Sequence, residues 1–294
     1  MHQAELDQGL YEALQRGDRP AVEGSLASGA DPNGYGADEW SCEWDMLTTA
    51  IRSSHTELVP LLIQAGASAE RSSALSFAAR RGDLDMARYL LDCGADPNRA
   101  IHSAAIAPQP VAILRLLFER GGDPNVETYD RITPLIYAAG GKGSCAAVRT
   151  LLEAGADVHH RCEDGDNALM WAASYGRDPT DSESSLQALL DAGADPNVSN
   201  GKDKGVPTTA LIGAVWGGDP DKVRLLLDRG ADPNIIDCRG NTALHIAAAS
   251  GSRWVVEHLL KHGADPAIRD SRGDTPRQLA ERYCEGLLGL LPDR

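Results

Sequence analysis

The chain has 294 residues, 42% of them hydrophobic, which excludes disorder, while 5% aromatic residues, two Phe and thirty Gly suit thin helical layers better than a deep globular core. A formal net charge of −15 argues against a nucleic-acid partner and suits a basic protein partner. No apolar run approaches the roughly 18 residues that span a bilayer, Met1–Leu10 is polar and acidic, and six scattered Cys form no Cys-x-x-Cys pair, so the expectation is a cytoplasmic protein with reduced thiols and no membrane partner.

In chain order, a Gly-Ala-Asp-Pro-Asn string or a near copy recurs at Gly29–Asn33, Gly66–Ala69, Gly94–Asn98, Gly121–Asn125, Gly155–His159, Gly193–Asn197, Gly230–Asn234 and Gly263–Ala267. Measured at the Asp, or at Ser68 in the second copy, the steps are 37, 28, 27, 34, 38, 37 and 33 residues. Before each turn, apolar residues at i, i+3 and i+4 define one buried helical face. The sets are Leu58/Leu61/Leu62, Ala87/Leu90/Leu91, Ile113/Leu116/Leu117, Val148/Leu151/Leu152, Leu186/Leu189/Leu190, Val223/Leu226/Leu227 and Val256/Leu259/Leu260, with a weaker Val22/Ser25/Leu26 at the start. Gly supplies a left-handed helix end and the following Pro cannot continue the helix. Seven turn aspartates, Asp31, Asp96, Asp123, Asp157, Asp195, Asp232 and Asp265, are therefore scaffold and say nothing about partners.

Upstream of these helices lie shorter, Ala-rich ones that open on an N-cap residue, as at Thr133-Pro134-Leu135, Asn167-Ala168-Leu169, Thr209-Ala210-Leu211, Thr242-Ala243-Leu244-His245 and Thr275-Pro276. The Thr-Pro-Leu-His-x-Ala-Ala element, the Val-x-x-Leu-Leu helix and the Gly-Ala-Asp turn together resemble the ankyrin-repeat family. That resemblance implies an all-α solenoid of antiparallel helix pairs with β-hairpin fingers. It covers about residues 4–293 and reads as one domain over 1–294, with repeats near 4–33, 45–69, 73–98, 99–125, 133–159, 167–197, 209–234, 242–267 and 275–293. The opening motif decays at Leu10-Tyr11, at Asp45-Met46-Leu47-Thr48 and at Ala100-Ile101-His102. Polar residues Glu5, Asp7, Gln8 and Glu12 at one end and a short helix Glu285–Leu291 at the other are expected to cap the stack. His245 and His102 fall on the family's His position, for which the resemblance implies a structural hydrogen bond.

The departures from repetition are where function is sought. From the turn Asp to the next N-cap, the count is 10 residues at Asp123–Thr133, Asp157–Asn167, Asp232–Thr242 and Asp265–Thr275. It falls to 5 at Ser68–Ser73 and 3 at Asp96–Arg99, too short for a hairpin, and rises to 14 at Asp31–Asp45 and Asp195–Thr209. Two adjacent fingers are thus truncated, leaving a notch overlooked by a long finger, Gly34–Trp44, that carries Tyr35, Trp40 and Trp44 beside Asp38, Glu39 and Glu43. Aromatic residues on a polar loop mark a contact site, or else the two Trp fold down over the truncated fingers. Two residues after each Ala-Ala pair should face the concave groove: Gln15/Arg16, Arg52/Ser53, Arg80/Arg81, Ile106/Ala107, Gly140/Gly141, Ser174/Tyr175, Trp216/Gly217 and Ala249/Ser250. Arg16, Arg52, Arg80 and Arg81 make the early groove basic and fit an acidic segment of a partner, the alternative being that they neutralise Asp38, Glu39, Glu43 and Glu70. Tyr175 and Trp216 are hot-spot residue types, and Tyr129 and Arg131 on the finger that follows Asp123 complete the candidate partner-binding set.

Catalytic and metal chemistry find no constellation. His258 and His262 lack a third ligand, and His159, His160 and Cys162 sit together on a loop without a fourth. No nucleophile motif, phosphate loop or cofactor motif is present, and the sequon Asn197-Val198-Ser199 is explained by the turn repeat. An insertion at Arg177–Ser185 is acidic and Ser-rich, read as a solvated loop with a phosphosite as the alternative. The functional expectation is a non-enzymatic protein-binding module without cofactors, monomeric on its own, acting as an adaptor or inhibitor. Two alternatives stay open: an immunity-type protein that neutralises a toxin or enzyme, and an oligomerising scaffold.

Overall fold

The recurring Gly-Ala-Asp string folds as one turn repeated eight times. Its glycine takes φ between 84° and 100° at every copy, a region open to Gly at no steric cost. The next residue then donates its amide to the carbonyl five positions back, 2.9–3.1 Å away, closing the outer helix in a Schellman motif. Each of the seven turn aspartates accepts the amide two residues on, at 2.8–2.9 Å, as an Asx turn. These carboxylates are scaffold, as expected.

The computed structural model describes residues 3–37, 43–70, 72–175, 184–200 and 209–291, and the chain divides into two compact units, 1–126 and 127–294. Unit one holds four helix pairs: α1 (Gln3–Arg16) with α2 (Arg19–Ala27), α3 (Met46–Arg52) with α4 (Val59–Gln64), α5 (Ala74–Arg81) with α6 (Leu84–Asp92), and α7 (Ile101–Ala105) with α8 (Pro110–Glu119). Unit two holds α9 (Pro134–Tyr137) with α10 (Cys145–Glu153), α11 (Ala168–Tyr175) with α12 (Ser185–Asp191), α13 (Ala210–Trp216) with α14 (Pro220–Asp228), α15 (Ala243–Ser250) with α16 (Arg253–Lys261), and α17 (Pro276–Tyr283). After α17 comes a single 3-10 turn, Glu285–Leu287, shorter than the expected closing helix. No helix among the described residues is long and apolar enough to cross a membrane.

The periodic apolar stripes are the core. Ala87, Leu90, Ile113, Leu116, Val148, Leu151, Val223 and Leu226 are all buried, whereas Leu61, Leu152, Leu190 and Leu260 at the edge of the stripe are half-buried. Inner helices start where the N-cap residues predict: Thr133, Asn167, Thr209 and Thr275 each accept the amide three residues on. Asp45 does the same for α3.

Repeat is joined to repeat by the asparagine that ends the turn string. The Asn197 amide donates to the Gly230 carbonyl at 3.0 Å and accepts the Asp232 amide at 2.7 Å. Asn234 bridges to Gly263 and Asp265, and Asn33 to Gly66 and Ser68, in the same way. Asn98 makes the accepting half, from the Asp123 amide at 2.8 Å. At the first turn, where no asparagine precedes, α1 supplies both halves: Gln3 donates to the Gly29 carbonyl and Asp7 accepts the Asp31 amide at 2.8 Å.

The fingers differ from simple hairpins. Among the described residues only the first has strands, β1 (Tyr35–Ala37) antiparallel to β2 (Glu43–Asp45), with Tyr35 opposite Asp45. Gly36 lies so close to Tyr11 of α1 that a Cβ there would sit 2.0 Å from the ring, which fixes the hairpin on the first helix. Ten-residue fingers are tight loops closed by two backbone bonds, such as Asp237 N–H to the Asn241 carbonyl at 2.8 Å and Gly240 N–H to the Asp237 carbonyl at 2.9 Å. The two short connections lack a finger; at the second of them the turn runs through a 3-10 stretch, Pro97–Ala100, directly into α7.

His245 is fully buried and completes a capping box. Its Nδ1 accepts the Thr242 amide at 3.1 Å and its Nε2 donates to the Asp274 carbonyl of the next finger at 3.2 Å. The structural role implied by the family resemblance is what is seen. Burial holds its pKa below the ordinary 6.5, because the charged ring would lose its hydration.

Two outcomes follow. Asn197→Ala removes two inter-repeat bonds from solvent-accessible partners and is expected to lower the unfolding free energy by about 1–2 kcal/mol, read from urea denaturation. With His245 depressed in the folded state, the unfolded chain binds more protons below pH 6.5. Stability is therefore full above that pH and falls as the pH drops from 6.5 toward the folded value. Urea midpoints between pH 7.5 and 5.5 should fall more steeply for the wild type than for His245→Gln, which keeps an acceptor at the same place.

Candidate protein-binding surface

Four arginines were expected to line a basic groove, and the structure gives them three different occupations. Arg16 turns back on its own helix, with Nε donating to the Glu12 carbonyl at 3.2 Å and a 3.8 Å ion pair to the Glu12 carboxylate. Arg52 lies over the Trp44 ring, Cζ 4.2 Å from the centroid, a cation–π contact. Arg81 reaches the preceding repeat, where its guanidinium donates to the Ile51 carbonyl and to Ser54 Oγ at 2.8 Å. It thus neutralises the negative C-terminal end of α3. Arg80 is exposed and has neither hydrogen bond nor ion pair among the described residues. An unpaired guanidinium is thus presented at one position of the four. The remaining expected pair in this unit, Ile106/Ala107, does not line a surface, since α7 ends at Ala105 and Ala107 is buried.

Trp44 is half-buried, not displayed. Its ring meets Phe77 of α5 edge to face, centroids 5.4 Å apart at 88°, so it packs across to the third repeat where the second finger is missing. This is the fold-down alternative for Trp44; Trp40, with Asp38 and Glu39, lies outside the described residues. Tyr35 is 61% exposed on β1. It lines a cleft of about 460 Å³ together with Pro32, Asn33, Asp45, Leu47, Ser68, Glu70 and Ser72.

In unit two the aromatic residues come forward. Tyr175 ends α11 at 56% exposure and Trp216 ends α13 at 62%, and these two inner helices pack directly on each other. Sequence reasoning missed the support beneath them. Trp171, one turn before Tyr175, meets it edge to face at 6.1 Å and sits over Gly140, where a Cβ would come within 2.6 Å of the indole. Gly140 and Gly141 break the preceding inner helix, leaving the helical region with Gly141 at φ 87°. The signal was present: a Trp stands where other inner helices carry Tyr137, Gly213 or Ile246, opposite a Gly-Gly pair. Tyr129 is 97% exposed on its finger, and Arg131 pairs with Glu127 at 3.2 Å while its carbonyl contacts His160 Nε2 at 2.8 Å. The inserted segment 177–183 lies outside the described residues.

Metal chemistry finds no support among the described residues, where no group of three or more His, Cys, Asp and Glu side chains is placed to hold an ion. His258 and His262 instead direct Nδ1 to the Trp254 and His258 carbonyls, and His258 stacks on Trp254 at 3.6 Å.

Comparison with known proteins agrees with this architecture. A family model described as ankyrin repeats (3 copies) matches residues 10–100, 101–200 and 179–270. The mouse "Ankyrin repeat and SOCS box protein 16" is 31% identical over 175 residues, covering 45% of this chain and 38% of that protein. "E3 ubiquitin-protein ligase KEG" of Arabidopsis thaliana is 31% identical over 101 residues, 32% of this chain and 6% of that protein. The chain thus spans well under half the length of these relatives. Among solved structures, the ankyrin repeat domain of Bcl-3 superposes with a TM-score of 0.59 at 26% identity, covering 74% of this chain and 96% of that one. Ankyrin repeats are protein–protein interaction modules, and with repeated turn, capped inner helix and family model in agreement, this chain belongs to the ankyrin-repeat family.

Proposed function

We propose that this chain is an adaptor or inhibitor that holds a partner protein against the exposed ends of its inner helices, with the whole array, 1–294, serving as one binding domain. The observation that carries the reading is the pair Tyr175 and Trp216, more than half exposed on adjacent helices of a protein with few aromatic residues. Exposed aromatic area costs solubility, whereas Trp and Tyr dominate binding energy at protein interfaces. The support of Tyr175 by Trp171 favours the same reading, since a side chain already packed loses little rotamer freedom on binding. In unit one the corresponding anchor is Arg80, the guanidinium that the fold leaves unused.

The test is capture of partners from native lysate at moderate salt by the wild type and by Trp216→Ala, Tyr175→Ala and Arg80→Glu. Arg81 is left intact because its substitution would disturb α3. All three replaced side chains are more than a third exposed, so unfolding free energies from urea denaturation should stay within about 1 kcal/mol of wild type. A partner held by the wild type and weakened tenfold or more by Trp216→Ala is the expected result. An identical catch from all three variants would remove the binding surface from the inner-helix ends.

A further inference from the structure

The cleft of unit one exists because a finger is absent. Five positions lead from Ser68 to Ser73, against ten in the full-length connections, and among the described residues this short connection meets the first hairpin at its base, where Ser72 and Ser73 donate to Asp45. Where neighbouring fingers are both present they touch, as Glu163 N–H does on the Asp130 carbonyl and Ser271 N–H on the Arg239 carbonyl. Pro32, Asn33 and Tyr35 come to the cleft from the first finger, Asp45 and Leu47 from its base, and Ser68, Glu70 and Ser72 from the shortened connection.

Its polar groups divide into those already used and those free. Asp45 accepts from Thr48 N–H and Ser72 Oγ through one oxygen and from Thr48 Oγ1 and Ser73 N–H through the other. Asn33 is spent on the bridge to Gly66 and Ser68. Ser72 Oγ donates to Asp45 and accepts from Ala74 N–H. What remains is the Tyr35 ring and the Glu70 carboxylate, both exposed and both without a hydrogen bond or ion pair among the described residues. The donors around Asp45 named here are neutral, so they satisfy its geometry without cancelling its charge.

A cleft with two carboxylates repels anions, and an apolar group would strip water from Glu70 without replacing it. A guanidinium meets both free groups at once: it pairs with a carboxylate through two parallel N–H donors and stacks on an aromatic face. We propose that this cleft receives an arginine side chain from an extended basic segment of a partner protein. The chain's net charge of −15 would steer such a segment toward it. The site is independent of Tyr175 and Trp216, and either can fail without the other.

The experiment is an NMR titration of the full-length, isotope-labelled protein with an unstructured Gly-Ser peptide carrying one arginine, alongside twins carrying citrulline or lysine. The arginine peptide should shift the amides of Tyr35, Ser68 and Glu70 saturably, the citrulline twin should leave them in place, and the lysine twin should bind several-fold more weakly. Glu70→Gln and Tyr35→Ala should each weaken the arginine peptide at least tenfold, while Glu119→Gln, the same charge change on α8, should not. Shifts scattered over the acidic surface without saturation would overturn the proposal. So would equal effects of Glu70→Gln and Glu119→Gln, or a lysine twin that binds as tightly as the arginine peptide.

Discussion

The side-chain amide of the turn asparagine, donating to one carbonyl and accepting from one amide of the following turn, sets repeat against repeat in this protein. It can do so only because two local events come first: the left-handed glycine closes the outer helix, and the aspartate carboxylate folds the backbone so that the asparagine faces forward. Once the turns are bridged, the length of chain between them is free to vary. Steps of 27 to 38 residues therefore coexist with one turn geometry. The start of the array obeys the same constraint by substitution, Gln3 and Asp7 standing in for an asparagine that no earlier repeat provides.

Freedom of the connections is what makes individual surfaces possible. A solenoid of this kind buries the same stripe in every unit and is stabilised by neighbours, so a finger can be lengthened or deleted at local cost only. Here deletion of the second finger produces three effects: Trp44 crosses to Phe77, Arg52 settles on Trp44, and a cleft opens beside Tyr35 and Glu70. In the other unit the Gly140-Gly141 break lets Trp171 sit down on the backbone, with Tyr175 packed against it and Trp216 on the next inner helix. Charge must be sorted likewise, since seven carboxylates are consumed by Asx turns.

How much of this was legible in the sequence depends on how local the physics is. Turn glycines, Asx aspartates and Thr or Asn caps act within five residues, and each was found where its letters stood. The shortened connections were legible by counting, and the absence of fingers there followed. What was not legible was the use made of side chains across repeats. Arg80 and Arg81 are neighbours at the end of one helix, yet a turn of 100° sends only Arg81 to the carbonyl end of α3. Position on a helix gives exposure, but the partner across the interface depends on backbone that the pattern does not carry. The asparagine bridge was visible as a repeated letter without a role, because its partners lie about 30 residues away.

The bridge itself can be measured most directly by native-state hydrogen exchange of the turn amides. Asparagine precedes the bridged turns, but Glu70 and His159 stand in its place before the turns of Asp96 and Asp195, whose amides have no acceptor among the described residues. The account predicts slow exchange at the amides of Ser68, Asp123, Asp232 and Asp265 and fast exchange at Asp96 and Asp195. Uniform protection across all six would contradict it, and would mean that repeat spacing is set by helix packing alone.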